Sequence, residues 1–587
     1  MRAVVVGGGL AGITAAIALA QAGAEVTLLE AKPRLGGATM SFTRDGLAID
    51  TGQHVFLRCC TAYRGLLDRL GMTAHAPLQP RFDITVVAPG KRARMRRRRL
   101  PAPLHMLPAL LGYPFLNFSE RSRISLAAFA FKRLREADPK TDDIRLGDWL
   151  AAHGQDDRTR RVLWDLFSIS SLNIPGDDAS LALAAVVVKT GLLGDAGAAD
   201  IGVPALSLGE LHGTAAARLL DKLGASVRLS TKVAAVGPNG AGGFLIRLGR
   251  SAQPSADASA ADGDHGDRQD ADLGPADETE HGETESGETE HGETESGETE
   301  SGETESGEVL AADVVVLAVP HEQAARLIPA GALPAETVEG WAGLGAAPIV
   351  NLHVRYDRKV MDVPFAAAVD SPVQWVFDRT AISGFGQSNR GQYLAISLSA
   401  AEPYVDVPAA RLRETFVPAL AGLLPAAQEA RVSEFFVTRE RRATFRQVPG
   451  TARLRPQAAT DLPGLALAGA WTDTGWPDTM EGAVRSGLNA VIALHDQLEA
   501  APQPAAASRT PPAATPNEPR GPQSHNAPTS PSGTKAEISG FVPVRGTGSR
   551  ASTVLEADPV LETNAVVEVE KVSEVNVADE DEREVRS

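Results

Sequence analysis

The stretch VVVGGGLAGITAA, residues 4–16, runs from an apolar strand through a glycine-rich turn into an alanine-rich helix. Extended to residues 2–31 it reads RAVVVGGGLAGITAAIALAQAGAEVTLLEA: strand, turn, helix, strand, a βαβ unit. Gly7, Gly9 and Gly12 have the spacing of the dinucleotide fingerprint. Such glycines permit a tight turn and let a pyrophosphate approach the backbone, its charge on the N-terminus of the helix that Leu10 and Ala11 open. Glu30, with Ala31 after it, closes the second strand, where a carboxylate accepts hydrogen bonds from a ribose 2′-hydroxyl. The same charge repels a 2′-phosphate and argues against NADP. The glycine pattern alone is weak; strand, helix and terminal acid together make it strong.

A chain of 587 residues predicts two or three domains. The net charge of -17 is unevenly spread: residues 251–308 hold 20 Asp/Glu against one Arg, and residues 501–587 hold 13 against 8 Lys/Arg. The remaining body is mildly basic, at +7. Residues 278–307 are six consecutive pentapeptides, ETEHG or ETESG, with no apolar side chain to build a core. They interrupt two strand-like runs, GGFLIRLGR and VLAADVVVLAVP, and so predict a hairpin with an enlarged, disordered connection. The Pro-, Ala- and Ser-rich tail beyond about residue 500 is predicted to be disordered as well.

Cys59 and Cys60 are the only cysteines, which excludes a disulfide framework; no metal site is expected, and His281 and His291 of the repeat read as solvated. The run LAGITAAIALAQAG comes after a glycine turn, lacks the flanks of a secretion signal and is too short for a bilayer. These features predict a cytoplasmic protein, free of nucleic acid, with peripheral contact on the inner face of the cell membrane left open.

The residues immediately after Glu30 separate FAD from NAD. AKPRLGGATMSF carries Arg34 and the pair Gly36–Gly37, and here the sequence resembles the flavin amine oxidase and phytoene desaturase superfamily. The resemblance implies an α/β fold: a discontinuous Rossmann-type FAD-binding domain with an α+β, amine oxidase-like substrate domain, plus the disordered acidic insert and tail. The FAD domain then takes residues 1–75, 201–250, 309–330 and 451–500, and the substrate domain residues 76–200 and 331–450. The resemblance also implies that FAD is held by the first glycine turn, Glu30, Ala31, Arg34, Gly36 and Gly37. Val233 lies where the family's strand meets adenine, and Gly469, Thr479 and Met480 of GAWTDTGWPDTMEGAVRSG (469–487) lie at the flavin end. Where the family usually places an acid after that first glycine, this chain has Ala470, which removes one anchor worth about 1–3 kcal/mol.

Six further segments narrow the resemblance: IDTGQHVFLRCCTAYRGLLDRLG, LPAPLHMLPALLGYPFLNFSER, LWDLFSISSLNIPGDDAS, QWVFDR, RRATFRQVPG and TGWPDTMEGAVRSG. Together they are similar to the hydroxysqualene dehydroxylases of bacterial hopanoid pathways, flavoenzymes that replace an allylic hydroxyl by hydrogen to give squalene. Carotenoid (phytoene-type) desaturase or isomerase, and amine oxidase, are the alternative activities. Hydroxide is a poor leaving group, so an acid should protonate it as the C–O bond breaks. His54, in DTGQH, is the leading candidate; Gln53 reads as orienting flavin or substrate, and Trp476 with Trp471 as cation-facing aromatics or a tunnel wall. Glu481 is expected to cap its own helix. The segment KRARMRRRRLPAPLHMLPALLGYPFLNF joins arginines to an apolar run, a composition suited to an anionic membrane surface through which a hydrophobic isoprenoid enters. The electron donor is not legible.

Overall fold

A computed structural model describes residues 1–249, 307–387 and 391–500; the expectations for the repeats and the tail lie outside these residues. In chain order the site is built from strand β1 (Arg2–Val6), helix α1 (Leu10–Gln21), strand β2 (Glu25–Leu29) and helix α2 (Thr61–Arg69). Helices α3 (Leu107–Leu111) and α4 (Phe118–Arg133) come next, then strands β3 (Ser226–Arg228) and β4 (Val314–Leu317). Strands β5 (Ala347–Tyr356), β6 (Val432–Thr444) and β7 (Leu465–Leu467) and helix α5 (Met480–Ala500) complete the set.

Five strands form a parallel sheet in the order β7-β4-β1-β2-β3. Their unbroken apolar runs (VVV, VVVL, LAL) are what a parallel sheet covered on both faces requires. Helix α1 is buried from Leu10 to Leu19 because it lies between this sheet and α5. The two helices touch at Gly487, where a Cβ would stand 2.3 Å from the Ala11 carbonyl oxygen. The two ends of the described chain therefore make one layer. Fold class is as the resemblance implied.

A seven-stranded mixed sheet carries β6 at one edge, β5 beside it, and Asp83–Ala88 with Lys91–Arg96 at the far edge. A three-stranded antiparallel sheet joins Val233–Pro238, Phe244–Leu248 and Val309–Ala312. Phe244 pairs with Ala312 and Arg247 with Val309, so the chain enters and leaves the repeat region on paired strands. Glu308, counted with the insert in the sequence, belongs to the fold instead. Its carbonyl accepts from the Leu248 N–H and its carboxylate pairs with Arg228 at 2.6 Å. Among the described residues, no helix is long and apolar enough to cross a membrane.

Candidate active site

At the end of β1, Gly7 adopts φ +107°, and a Cβ there would meet the Ala318 carbonyl oxygen at 2.2 Å. A Cβ on Gly12 would stand 1.9 Å from the Gly7 carbonyl oxygen. The first turn of α1 can close over β1 only without side chains. The Glu30 carboxylate is fixed at the rim of this turn, accepting from the N–H of Gly8 (2.6 Å) and of Lys32 (2.8 Å). The Glu30 carbonyl accepts from Thr231, which brings the buried Val233 alongside.

The second glycine pair folds onto the first. Gly36 donates its N–H to the Gly8 carbonyl (2.8 Å), and Gly37, at φ +59°, lies so close that its Cβ would be 2.9 Å from the Gly9 Cα. Ala31 and Arg34 are exposed beside them, Arg34 donating to the Met40 sulfur. Two glycine turns, a helix N-terminus and a fixed carboxylate form a cradle bare of side chains, which suits a pyrophosphate with a ribose at its rim.

The next segment, Thr51–His54, is held from below by the seven-stranded sheet. The Thr51 carbonyl accepts from Asn351 Nδ2 (3.0 Å) on β5 and Thr438 Oγ1 (3.3 Å) on β6. Asp50, just before it, is a buried carboxylate paired with Arg379. At this point both amide atoms of Gln53, Nδ1 of His54 and Oδ1 of Asn351 are buried without a hydrogen-bond partner among the described residues. Such orphaned groups are costly unless a polar ligand satisfies them. A flavin, with donors and acceptors around one ring edge, fits that need.

Burial pushes the His54 pKa down, partly opposed by the Gly52 backbone and Asp50 and reinforced by Arg379. His212, hydrogen-bonded to the Tyr63 hydroxyl at 2.7 Å, is pushed down to about 3 by burial and by His54. His353 is likewise driven to about 3 by burial and by Arg379, Arg355 and Arg44. Burial thus disfavours the charged form of all three rings. The sequence-based choice of His54 as the acid needed its charged form to be favoured, and burial acts in the opposite direction.

The closing segment approaches from the other end of the chain. Arg455 donates to the carbonyls of Ala470, Trp471, Thr472 and Trp476, clamping the loop from inside. Sequence reasoning passed over it, since a lone arginine before a strand carries no motif. Trp471 is a wall: its Nε1 donates to the Val319 carbonyl and its ring packs edge-on against Trp341. Trp476 turns a ring face to the Arg485 guanidinium, 4.9 Å away, so that face is already taken by a cation. Glu481 does not cap the backbone N–H groups of its own helix. Its buried carboxylate accepts from the N–H groups of Ala62 and Tyr63, capping α2, and from Arg485. Thr479 and Met480 open α5, and the Gly469 N–H donates to Ser486 Oγ within the same helix.

The arginine cluster is also spent differently from its sequence reading. Arg92 pairs with Asp362, Arg94 and Arg96 with Asp83, and Arg97 with the buried Asp200. Arg98 and Arg99 are exposed with no ion pair among the described residues. Of the twelve large apolar side chains exposed among those residues, six lie between Leu100 and Phe129. Phe118, Leu126 and Phe129 share one face of α4 by helical spacing, and the Arg133 guanidinium lies over the Phe129 ring at 4.1 Å.

A family model described as flavin containing amine oxidoreductase matches residues 10–265 and 291–495. The chain is 25% identical to the hydroxysqualene dehydroxylase of Sinorhizobium fredii over 496 residues, covering 83% of this chain and 96% of that one. The corresponding protein of Rhodopseudomonas palustris is 27% identical with the same coverage. The 15-cis-phytoene desaturase of Solanum lycopersicum is 22% identical over 525 residues, or 85% and 78% of the two chains. Among solved structures, a redesigned putrescine oxidase superposes with a TM-score of 0.58 at 17% identity (84% and 99% coverage). The cyclohexylamine oxidase of Brevibacterium oxydans gives 0.57 at 18% (85% and 99%).

Proposed function

Since the chain belongs to the family of flavin containing amine oxidoreductases and is an FAD-dependent oxidoreductase, we propose that it reduces hydroxysqualene, an allylic isoprenoid alcohol, to squalene. The supporting observation is the cluster of unpartnered polar atoms at Gln53, His54 and Asn351. FAD, in its reduced form, supplies the hydride that replaces the hydroxyl. The first glycine turn and Glu30 hold its nucleotide half, Gly36 and Gly37 cover the pyrophosphate, and Val233 lines the adenine. Gln53 and His54 face the flavin edge, while Thr479, Met480 and Gly469 flank its far end. The buried rings of Trp471, Trp341 and Phe445 would help keep that region dry. With burial disfavouring its charged form, His54 would orient the cofactor rather than protonate the leaving group.

With chemically reduced enzyme and hydroxysqualene under anaerobic conditions, squalene is the expected product by gas chromatography. Desaturation of a polyene instead, with no squalene, would transfer the reading to the carotenoid desaturases, which the phytoene and zeta-carotene relatives at 22–23% identity keep in view.

A substrate of this kind resides in lipid, and the α3–α4 face supports delivery from an anionic bilayer. Its apolar side chains stand over a rim of Arg98, Arg99, Arg123 and Lys132, cations without ion pairs among the described residues. Vesicles containing phosphatidylglycerol should sediment the wild type. The triple variant Phe118→Ser, Leu126→Ser, Phe129→Ser should bind at least about tenfold more weakly, given roughly 1.5–3 kcal/mol per large side chain buried. Equal binding by the two proteins removes this face from the reading.

A further inference from the structure

The ion pairs of the arginine hairpin do not exhaust its positive charge. Strand Lys91–Arg96 reads KRARMR, so arginines at every second position fall on one face. Met95 turns to the core with Ile84 and Val86 of the neighbouring strand Asp83–Ala88. On the opposite face Arg94 stands across from Thr85, and Arg96 across from Asp83. Arg92, Arg94 and Arg96, with Arg81 from the segment before Asp83, line an open groove of about 520 Å³. Its lining also includes the apolar side chains of Val363, Pro364 and Phe365.

Four guanidiniums share this groove with a single carboxylate, Asp83. That carboxylate is already engaged, taking two hydrogen bonds from Arg94 (2.7 and 2.6 Å) and lying 3.0 Å from Arg96 Nε. Even so, Arg96 Nε is buried without a hydrogen-bond partner among the described residues. Arg92 pairs with Asp362 at 3.0 Å, but Arg81 forms no ion pair among the described residues. Its guanidinium feels like charge instead, from Arg96 above all and from Arg97, Arg98 and Arg99, which with desolvation pull its pKa below the ordinary value. Cations gathered in excess of their counter-charges repel one another, and a bound anion relieves that repulsion. A phosphate ester suits the groove. Guanidinium forks match its oxygens, and its alkyl part meets the apolar lining. The volume also falls within the roughly 300–1,000 Å³ of small-molecule sites.

The groove lies at the far edge of the seven-stranded sheet from β5 and β6, which carry Asn351 and Thr438. Helix α3 packs against strand Lys91–Arg96, and exposed Leu100, Leu104 and Leu111 follow that strand in the chain. Cations and bare apolar surface therefore adjoin. We propose that the groove is a phosphate-ester site whose occupant is the phosphodiester of an anionic phospholipid. It is separate from the flavin site, and its occupancy does not depend on which isoprenoid is turned over.

Holoprotein, its glycine cradle filled by FAD, should sediment with mixed phosphatidylglycerol and phosphatidylcholine vesicles, less so as salt rises. Arg81→Glu, which breaks no ion pair, should weaken that binding at least about tenfold, and Arg81→Gln by an intermediate amount. Arg218→Glu makes the same charge change on the exposed side of helix Ala215–Lys222, in the nucleotide layer. Screening should hold its effect within about twofold. Unchanged FAD content in each variant reports an intact fold. Glycerol 3-phosphate, followed by phosphorus-31 line width, separates the two sources of the ester. Broadening that Arg81→Glu abolishes, without vesicle sedimentation, overturns the lipid and leaves a free phosphate ester as the occupant. Sedimentation that resists Arg81→Glu, or falls equally in Arg218→Glu, overturns the site itself, as does failure to bind either probe.

Discussion

Gly12→Val is expected to yield protein that purifies without colour and cannot be reconstituted with FAD. The Cβ would enter the Gly7 carbonyl oxygen at 1.9 Å, and that oxygen cannot retreat. Gly7 is held by its N–H bond to the Leu29 carbonyl and by the Ala318 carbonyl packed against its Cα. Relief therefore requires α1 to lift away from β1, opening the turn on which the pyrophosphate rests. Loss of that seat should weaken FAD binding by at least about 10²-fold, or roughly 3 kcal/mol. Titration of apoprotein with FAD, monitored by flavin absorbance, measures it. Stoichiometric FAD in the variant would mean that the cofactor is seated elsewhere.

Arg455→Met should be the most destabilising single change in the closing loop. Arg455 is 7% exposed, and its guanidinium reaches four backbone carbonyls with no carboxylate partner among the described residues. Removing it strands those oxygens in the interior, at a cost of about 3–5 kcal/mol by the scale for breaking buried charged contacts. Arg455→Lys should recover little, because an ammonium lacks the planar fork that spans several acceptors. Urea unfolding of the holoprotein gives the first quantity, and FAD dissociation should accelerate in parallel. An unchanged midpoint would show that the loop holds itself.

The glycine cradle was legible because its geometry is local in sequence. Gly7, Gly9, Gly12 and Glu30 are within 24 residues, and their spacing maps directly onto one turn and one strand end. Protonation states were not legible. His54 reads as a titratable group in a string of letters, and only its burial and the Arg379 guanidinium, from a distant segment, disfavour its charged form. Glu481 was misread because its partners, Ala62 and Tyr63, lie more than four hundred positions upstream. The roles of the arginines at 92–97 depended on Asp83, Asp200 and Asp362, which no spacing rule connects to them.

The contact between α1 and α5 at Gly487 has a consequence for biosynthesis. Strands β1 and β2 leave the ribosome early, but β4 arrives some three hundred residues later, and β7 and α5 only near residue 500. At roughly 5–20 residues per second, about 15–60 seconds pass between the synthesis of β2 and that of β4, and about 20–90 seconds before α5 is complete. During that interval one edge of β1 and one face of α1 are uncovered, in a chain that will require a parallel sheet, the slowest kind to assemble. Cofactor loading is thus an event of the finished polypeptide, and premature termination anywhere before Gly487 leaves an apolar helix with no lid rather than a smaller flavoprotein.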